Sequence, residues 1–173
     1  MTGRFISLEG GEGVGKSTQA KMLAEALRAR GLDVVLTREP GGSPSAEAIR
    51  DLLLQGAEDR WNAGAEALLF AAARSDHLAR TIKPALATGS WVVCDRFLDS
   101  SRAYQGAAGS LGDAAVLELH RIGSAGVLPD RTLILDLPDD EASARADLRD
   151  LGRADRIGGR EARMIHALLK GRG

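Results

Sequence analysis

Between an apolar strand pattern, Arg4-Phe-Ile-Ser-Leu8, and the start of an amphipathic run lies Gly10-Gly-Glu-Gly-Val-Gly-Lys-Ser17, a complete G-x-x-x-x-G-K-S loop. That order commits the chain to a strand–loop–helix unit whose loop grips nucleotide phosphates. The glycines let successive backbone N–H groups turn inward around phosphate oxygens. Lys16 can reach the β- and γ-phosphates, and Ser17 can offer its hydroxyl to Mg²⁺. The helical pattern that follows, from about Lys16 to Arg30, aims the positive end of its dipole at the same anion.

Apolar runs at about residues 4–9, 33–37, 91–95 and 131–136 alternate with helical patterns, which predicts a parallel sheet covered by helices on both faces. Alanine and leucine at helical spacing from about Ala63 to Ala87, stopped by Gly89, predict a long central helix. A chain of 173 residues suits one domain. With 23 basic and 24 acidic residues, total charge gives no reason to expect a nucleic-acid or membrane-surface partner, so phosphate recognition must come from local placement. No apolar stretch approaches the roughly 18 residues that span a bilayer, and the N-terminus carries no signal pattern. The one cysteine, Cys94, lies in an apolar run and suits a buried thiol in a reducing compartment. A cytoplasmic protein is expected.

Ligands of open α/β sheets bind outside the carboxyl ends of the strands, and here the early strands end in charge. The first ends at Glu9, the second at Arg38-Glu39-Pro40-Gly41-Gly42, and the third at Asp95-Arg96. Proline at 40 favours an extended Glu39, and the glycine pair permits a sharp turn. Asp95, closing an apolar strand, can hold Mg²⁺ or its waters, while Arg96 can fork onto a second phosphate. Two phosphate grips point to a transferase holding donor and acceptor in line rather than to a hydrolase. Phe70 and Arg74, four apart on the long helix, share a face and could stack on and hydrogen-bond a flat base, although a core aromatic beside a surface arginine reads the same way. Arg145, Arg149, Arg153 and Arg156 fall within about 80° on a helical wheel. They form either an anion site or a solvated face interrupted by Asp147, Asp150 and Asp155.

With the loop, the Arg-Glu-Pro-Gly-Gly turn, the Phe70/Arg74 pair and Asp95-Arg96-Phe97 leading to Ser100-Ser101-Arg102-Ala103-Tyr104-Gln105, the chain resembles the bacterial thymidylate kinases from residue 4 to about 157. The resemblance implies a three-layer α/β/α fold of the P-loop NTPase type and the reaction of ATP with dTMP to give ADP and dTDP. It also implies Mg²⁺ and a homodimeric cytosolic enzyme serving dTTP synthesis. ATP phosphates would be held by Gly10, Gly11, Glu12, Gly13, Val14, Gly15, Lys16, Ser17 and Thr18, with Ser17 and Asp95 at the metal. Phe70 would stack on thymine while Arg74 and Gln105 bond its edge. Arg38 and Arg96 would hold the dTMP phosphate, and Arg50 and Ser101 would line the acceptor pocket. Glu9 and Glu39 would sit near the sugar and its water or metal network, and Tyr104 would fill the space of a ribose 2′-hydroxyl. The loop interior carries no arginine, so a lid over about 139–157 is expected to supply one. Lys16, Arg96, Arg149 and Arg153 are the expected catalytic groups. Rival readings are a kinase for dUMP, CMP or AMP and an ATPase switch bound to a macromolecule. Beyond Ile157 the family usually continues through further helices and a last sheet strand, whereas this chain runs through Gly158-Gly159-Arg160 to Gly173. A single domain over 1–173 is therefore expected, short at its C-terminal part, without the final edge strand and part of the adenine pocket.

Overall fold

The computed structural model describes residues 2–55, 60–138 and 141. In chain order these form β1 (Phe5–Glu9), α1 (Lys16–Ala29), β2 (Val34–Arg38), α2 (Pro44–Leu54), α3 (Ala63–His77), α4 (Lys83–Ala87), β3 (Trp91–Asp95), α5 (Leu98–Ser101), α6 (Asp113–Ser124) and β4 (Arg131–Ile134). The strands pair in the order β2-β3-β1-β4, and every pairing is parallel.

Side chains alternate across a strand, so β1 feeds two cores. Phe5 packs with Leu78, Ile82, Val92, Cys94, Phe97, Leu98 and Val116 on one face. Ile6 and Leu8 pack with Ala20 and Val93 on the other, where Leu23 and Leu27 of α1 close the layer. Helices thus cover both faces, as the alternation of runs predicts. Phe5 and Phe97 meet edge to face with centroids 4.9 Å apart, and each aromatic or aliphatic side chain so enclosed contributes about 1.5–3 kcal/mol. Cys94 is fully buried in this core, and burial pushes its thiol well above the ordinary range.

The long central helix is interrupted. Between α3 and α4 the residues Leu78–Ile82 widen into a π-helical turn, immediately before Pro84, whose ring removes one N–H from the helical ladder. A second widening, Arg102–Ala108, continues α5. Arg102 holds that segment in place through bonds to Asp113 at 2.6 and 2.8 Å and to Asp99 at 3.0 Å. The sheet places Leu8 of β1 opposite Asp95 of β3, and Arg38 of β2 opposite Asp95 on the other side. Three strand ends therefore reach one edge together.

Candidate active site

The loop after β1 opens at Gly10, whose φ of 142° belongs to glycine and whose Cβ, if present, would collide with the Leu135 carbonyl. Gly11, Gly13 and Val14 are buried, Glu12 and Gly15 half-buried, and Ser17 and Thr18 exposed at the start of α1. Lys16 is itself enclosed, and its ammonium donates to the Gly11 carbonyl. Burial, reinforced by the Arg96 charge and opposed by Asp95, pushes the Lys16 pKa down to about 8. Ser17 donates its hydroxyl to Asp95 Oδ2 at 2.5 Å. Asp95 Oδ1 is buried and has no hydrogen-bond partner among the described residues.

Behind the loop, Glu9 is fully buried. It accepts the Phe97 N–H at 2.8 Å and the Ser100 hydroxyl at 2.6 Å, so one carboxylate ties the end of β1 to the turn after β3. Burial raises its pKa to about 7, with Asp99 adding to the rise and the Ser100, Arg96 and Phe97 interactions limiting it. Arg96 occupies that turn with φ of 72°, a conformation that non-glycine residues seldom adopt and that recurs at functional sites. Its guanidinium donates to the Tyr104 hydroxyl at 3.0 Å, lies over the Tyr104 ring at 5.2 Å and faces Glu12 at 3.7 Å. Arg96 therefore stands between the phosphate loop and the helical segment carrying Tyr104.

The other wall is built from α3 and the end of β2. Arg74 is 3% exposed, donating through Nε to Glu39 at 2.7 Å and through Nη2 to Ser101 at 2.8 Å and to the Phe97 carbonyl at 3.2 Å. Glu39 uses its second oxygen on His77 Nδ1 at 3.0 Å, and Thr37 closes the chain on His77 Nε2 at 2.8 Å. The Glu39–Pro40 peptide is cis, and Arg50 donates to the Pro40 carbonyl at 2.7 Å. Arg38 is exposed and paired with Glu47 at 3.0 Å. A small cavity lies between α3, the Arg102–Ala108 segment and α6, lined by Ala67, Arg74, Ser101 and Gln105 among others. Phe70, half-buried, lies one helical turn before Arg74.

A phosphate loop, a strand-end carboxylate and an arginine between the loop and the Tyr104 segment agree with the comparisons to known proteins. The thymidylate kinase family model matches residues 8–164. The chain belongs to the thymidylate kinase family. Its reaction is the ATP-dependent phosphorylation of dTMP to dTDP. A thymidylate kinase of Rhizorhabdus wittichii is 71% identical over 157 residues, which are 91% of this chain and 76% of the relative. One of Caulobacter vibrioides is 58% identical over 149 residues, 85% of this chain and 71% of the relative. The crystal structure of thymidylate kinase from Ehrlichia chaffeensis superposes with a TM-score of 0.74 at 34% identity, over 99% of each chain.

In this kinase the residues expected from the sequence fall into two groups. Glu9, the 10–18 loop, Asp95 and Arg96 gather around the end of β1, while Arg74, Ser101 and Gln105 line the small cavity, with Glu39 bonded to Arg74 and Tyr104 to Arg96. Glu39 accepts from Arg74 through one oxygen and meets His77 through the other, so it holds Arg74 in place. The lid expected over 139–157, including Arg145, Arg149, Arg153 and Arg156, lies outside the described residues apart from Glu141. Sequence reasoning missed Thr37, Glu66, His77 and Ser100. His77 had a signal, since it follows Arg74 by three and shares its helix face. Thr37 and Glu66 had none, because their partners lie 40 and 39 positions away.

Proposed function

We propose that the β1 loop holds ATP and that α3 and the Arg102–Ala108 segment meet dTMP, with Arg96 spanning the two phosphates. The observation that carries this division is the position of Arg96, whose side chain lies within reach of both Glu12 in the loop and Tyr104 in the Arg102–Ala108 segment. Lys16 and the N–H groups of residues 10–18 would bind the donor phosphates, and Arg96 with Arg38 the acceptor phosphate. Phe70 would stack on thymine, Arg74 and Gln105 would meet its edge, Ser101 and Arg50 would line the pocket, and Tyr104 would occupy the 2′ side of the sugar. Arg149 and Arg153 are proposed as the lid groups that meet the transferring phosphoryl.

Phosphoryl transfer asks the protein chiefly for position and for positive charge where oxygen charge builds. Lys16 and Arg96 supply that charge from enclosed positions, where it acts more strongly than in water. Ser17 and Asp95 fit a magnesium ion, because they are paired at the loop and Asp95 Oδ1 is a buried oxygen without a hydrogen-bond partner among the described residues. Bound there, Mg²⁺ would neutralise phosphate charge and orient the donor. The family resemblance suggests a homodimer, and the exposed Leu68 of α3 with Leu117 and Ile122 of α6 would gain from burial against a second copy. We further propose a cytoplasmic enzyme acting on free mononucleotides. Among the described residues no helix is long and apolar enough to cross a membrane.

The division predicts opposite effects at the two ends. Lys16→Ala removes most phosphoryl transfer while leaving dTMP binding measurable by calorimetry. Phe70→Ala raises the KM for dTMP about tenfold or more, the scale of one lost base–aromatic stack, and leaves the KM for ATP unchanged. A Phe70→Ala enzyme with altered ATP KM and native dTMP KM contradicts the assignment of sites.

A further inference from the structure

Gln105 is 5% exposed and looks into the small cavity beside Arg74 and Ser101. Its amide is not free to point either way. Nε2 donates at 2.7 Å to Glu66 Oε1, on the first turn of α3, where Asn62 caps the helix by accepting the Ala65 N–H at 2.9 Å. A carboxylate only accepts, so the nitrogen of Gln105 must face Glu66 and the oxygen must face away. That oxygen, Oε1, is buried and has no hydrogen-bond partner among the described residues. An acceptor left bare in an enclosed site costs free energy unless a ligand donor meets it.

The groups beside it have the opposite sense. Ser101 Oγ already accepts from Arg74 Nη2, which leaves its own hydrogen to donate, and Arg74 Nη1 makes no bond among the described residues. Arg74 and Ser101 therefore offer donors next to a fixed acceptor on Gln105. A pyrimidine with a carbonyl at C4 and a hydrogen on N3 offers the complementary pair. Cytosine offers an amino group at C4 and an acceptor at N3, which reverses both senses.

We propose that Glu66 is a specificity-determining positioning residue: by holding Gln105 Nε2 it commits Oε1 to the base and selects N3–H pyrimidines over those with a 4-amino group. This rests on the reading that Arg74, Ser101 and Gln105 face the base of dTMP. Glu66 touches no reacting atom and acts only through the orientation of one amide. A site built to pair a particular polar group rejects the analogue lacking it far more strongly than an apolar pocket does, because its own polar atom is left unpaired.

The test is steady-state kinetics with dTMP and dCMP for the wild type, Glu66→Gln, Glu66→Ala and Gln105→Leu, with thermal melting of each. Glu66→Gln keeps the shape but offers both a donor and an acceptor, so Gln105 can turn over. The expected result is a kcat for dTMP near wild type, a KM for dTMP raised about tenfold, and a ratio of kcat/KM for dTMP over dCMP reduced at least tenfold. Glu66→Ala, which removes the acceptor, is expected to lower the ratio as well. A merely structural role would lower melting and affect both nucleotides alike, leaving the ratio within about twofold of wild type, and that result overturns the proposal. If Gln105→Leu raises the dTMP KM and lowers the ratio while both Glu66 variants behave as wild type, the pocket stands and the role of Glu66 falls. If Gln105→Leu leaves the dTMP KM unchanged, Gln105 does not face the base and both readings fail.

Discussion

Replacing Glu9 with glutamine should make the protein's stability less sensitive to pH, in a direction that the burial of this carboxyl dictates. In the folded chain Glu9 holds its proton up to about pH 7, whereas an ordinary glutamate releases it near 4.5. The folded state thus keeps a proton that the unfolded state has already lost. Its stabilising contribution is fully present below the unfolded value and disappears as pH rises through the folded one. A gap of that size corresponds to about 3 kcal/mol in all, most of which falls between pH 5 and pH 8. Glutamine cannot titrate, and its imperfect match to the Phe97 N–H and the Ser100 hydroxyl adds a constant offset that does not depend on pH. Urea unfolding of both proteins without nucleotide, from pH 5 to pH 8, isolates the effect as the slope of the stability difference. Wild type should lose about 2–3 kcal/mol relative to Glu9→Gln over that interval, with most of the change complete near pH 7. Parallel stability curves would refute the argument, since they would mean that Glu9 ionises alike in both states.

Two further outcomes follow from the same strand ends. Because the free Lys16 ammonium has a pKa lowered to about 8, kcat/KM for ATP should fall about tenfold per unit above that pH, while kcat at saturating ATP holds to higher pH because the bound phosphates favour the charged form. A flat kcat/KM for ATP from pH 7 to pH 10 would count against it. Gly42→Ala should cost about 1–3 kcal/mol and raise the dTMP KM, because φ is +84° and the new methyl would collide with the His77 ring and the Thr37 hydroxyl. Chemical denaturation and dTMP saturation curves check it, and native values in both would remove His77 and Thr37 from the support of Arg74.

The parts of this fold legible in the sequence are those set by local pattern. Strands expected at about 4–9, 33–37, 91–95 and 131–136 appear at Phe5–Glu9, Val34–Arg38, Trp91–Asp95 and Arg131–Ile134, because an apolar run between turn residues has few other solutions. Glu9, Arg38 and Asp95 could be marked from the sequence because a parallel sheet delivers strand ends to one edge whatever the side chains are. The two π-helical turns were not legible. A helix-spaced run of alanine and leucine specifies a helix but not the one-residue widening near Pro84, and the second widening is held by Arg102, Asp99 and Asp113, whose meeting depends on tertiary packing. Arg74 was identified as facing a base, yet most of its donors serve Glu39, Ser101 and the Phe97 carbonyl. Those partners become visible only once β2, α3 and the turn after β3 are docked.

The register of β1 against β3 carries a consequence for how such an enzyme can change over generations. Leu8 lies opposite Asp95, so the separation between the phosphate loop and its carboxylate is a backbone dimension, fixed by the ladder of peptide hydrogen bonds between two adjoining strands. Substitutions elsewhere can replace the helical surfaces without lengthening or shortening it. The critical spacing of the site is thus stored where side chains have little influence.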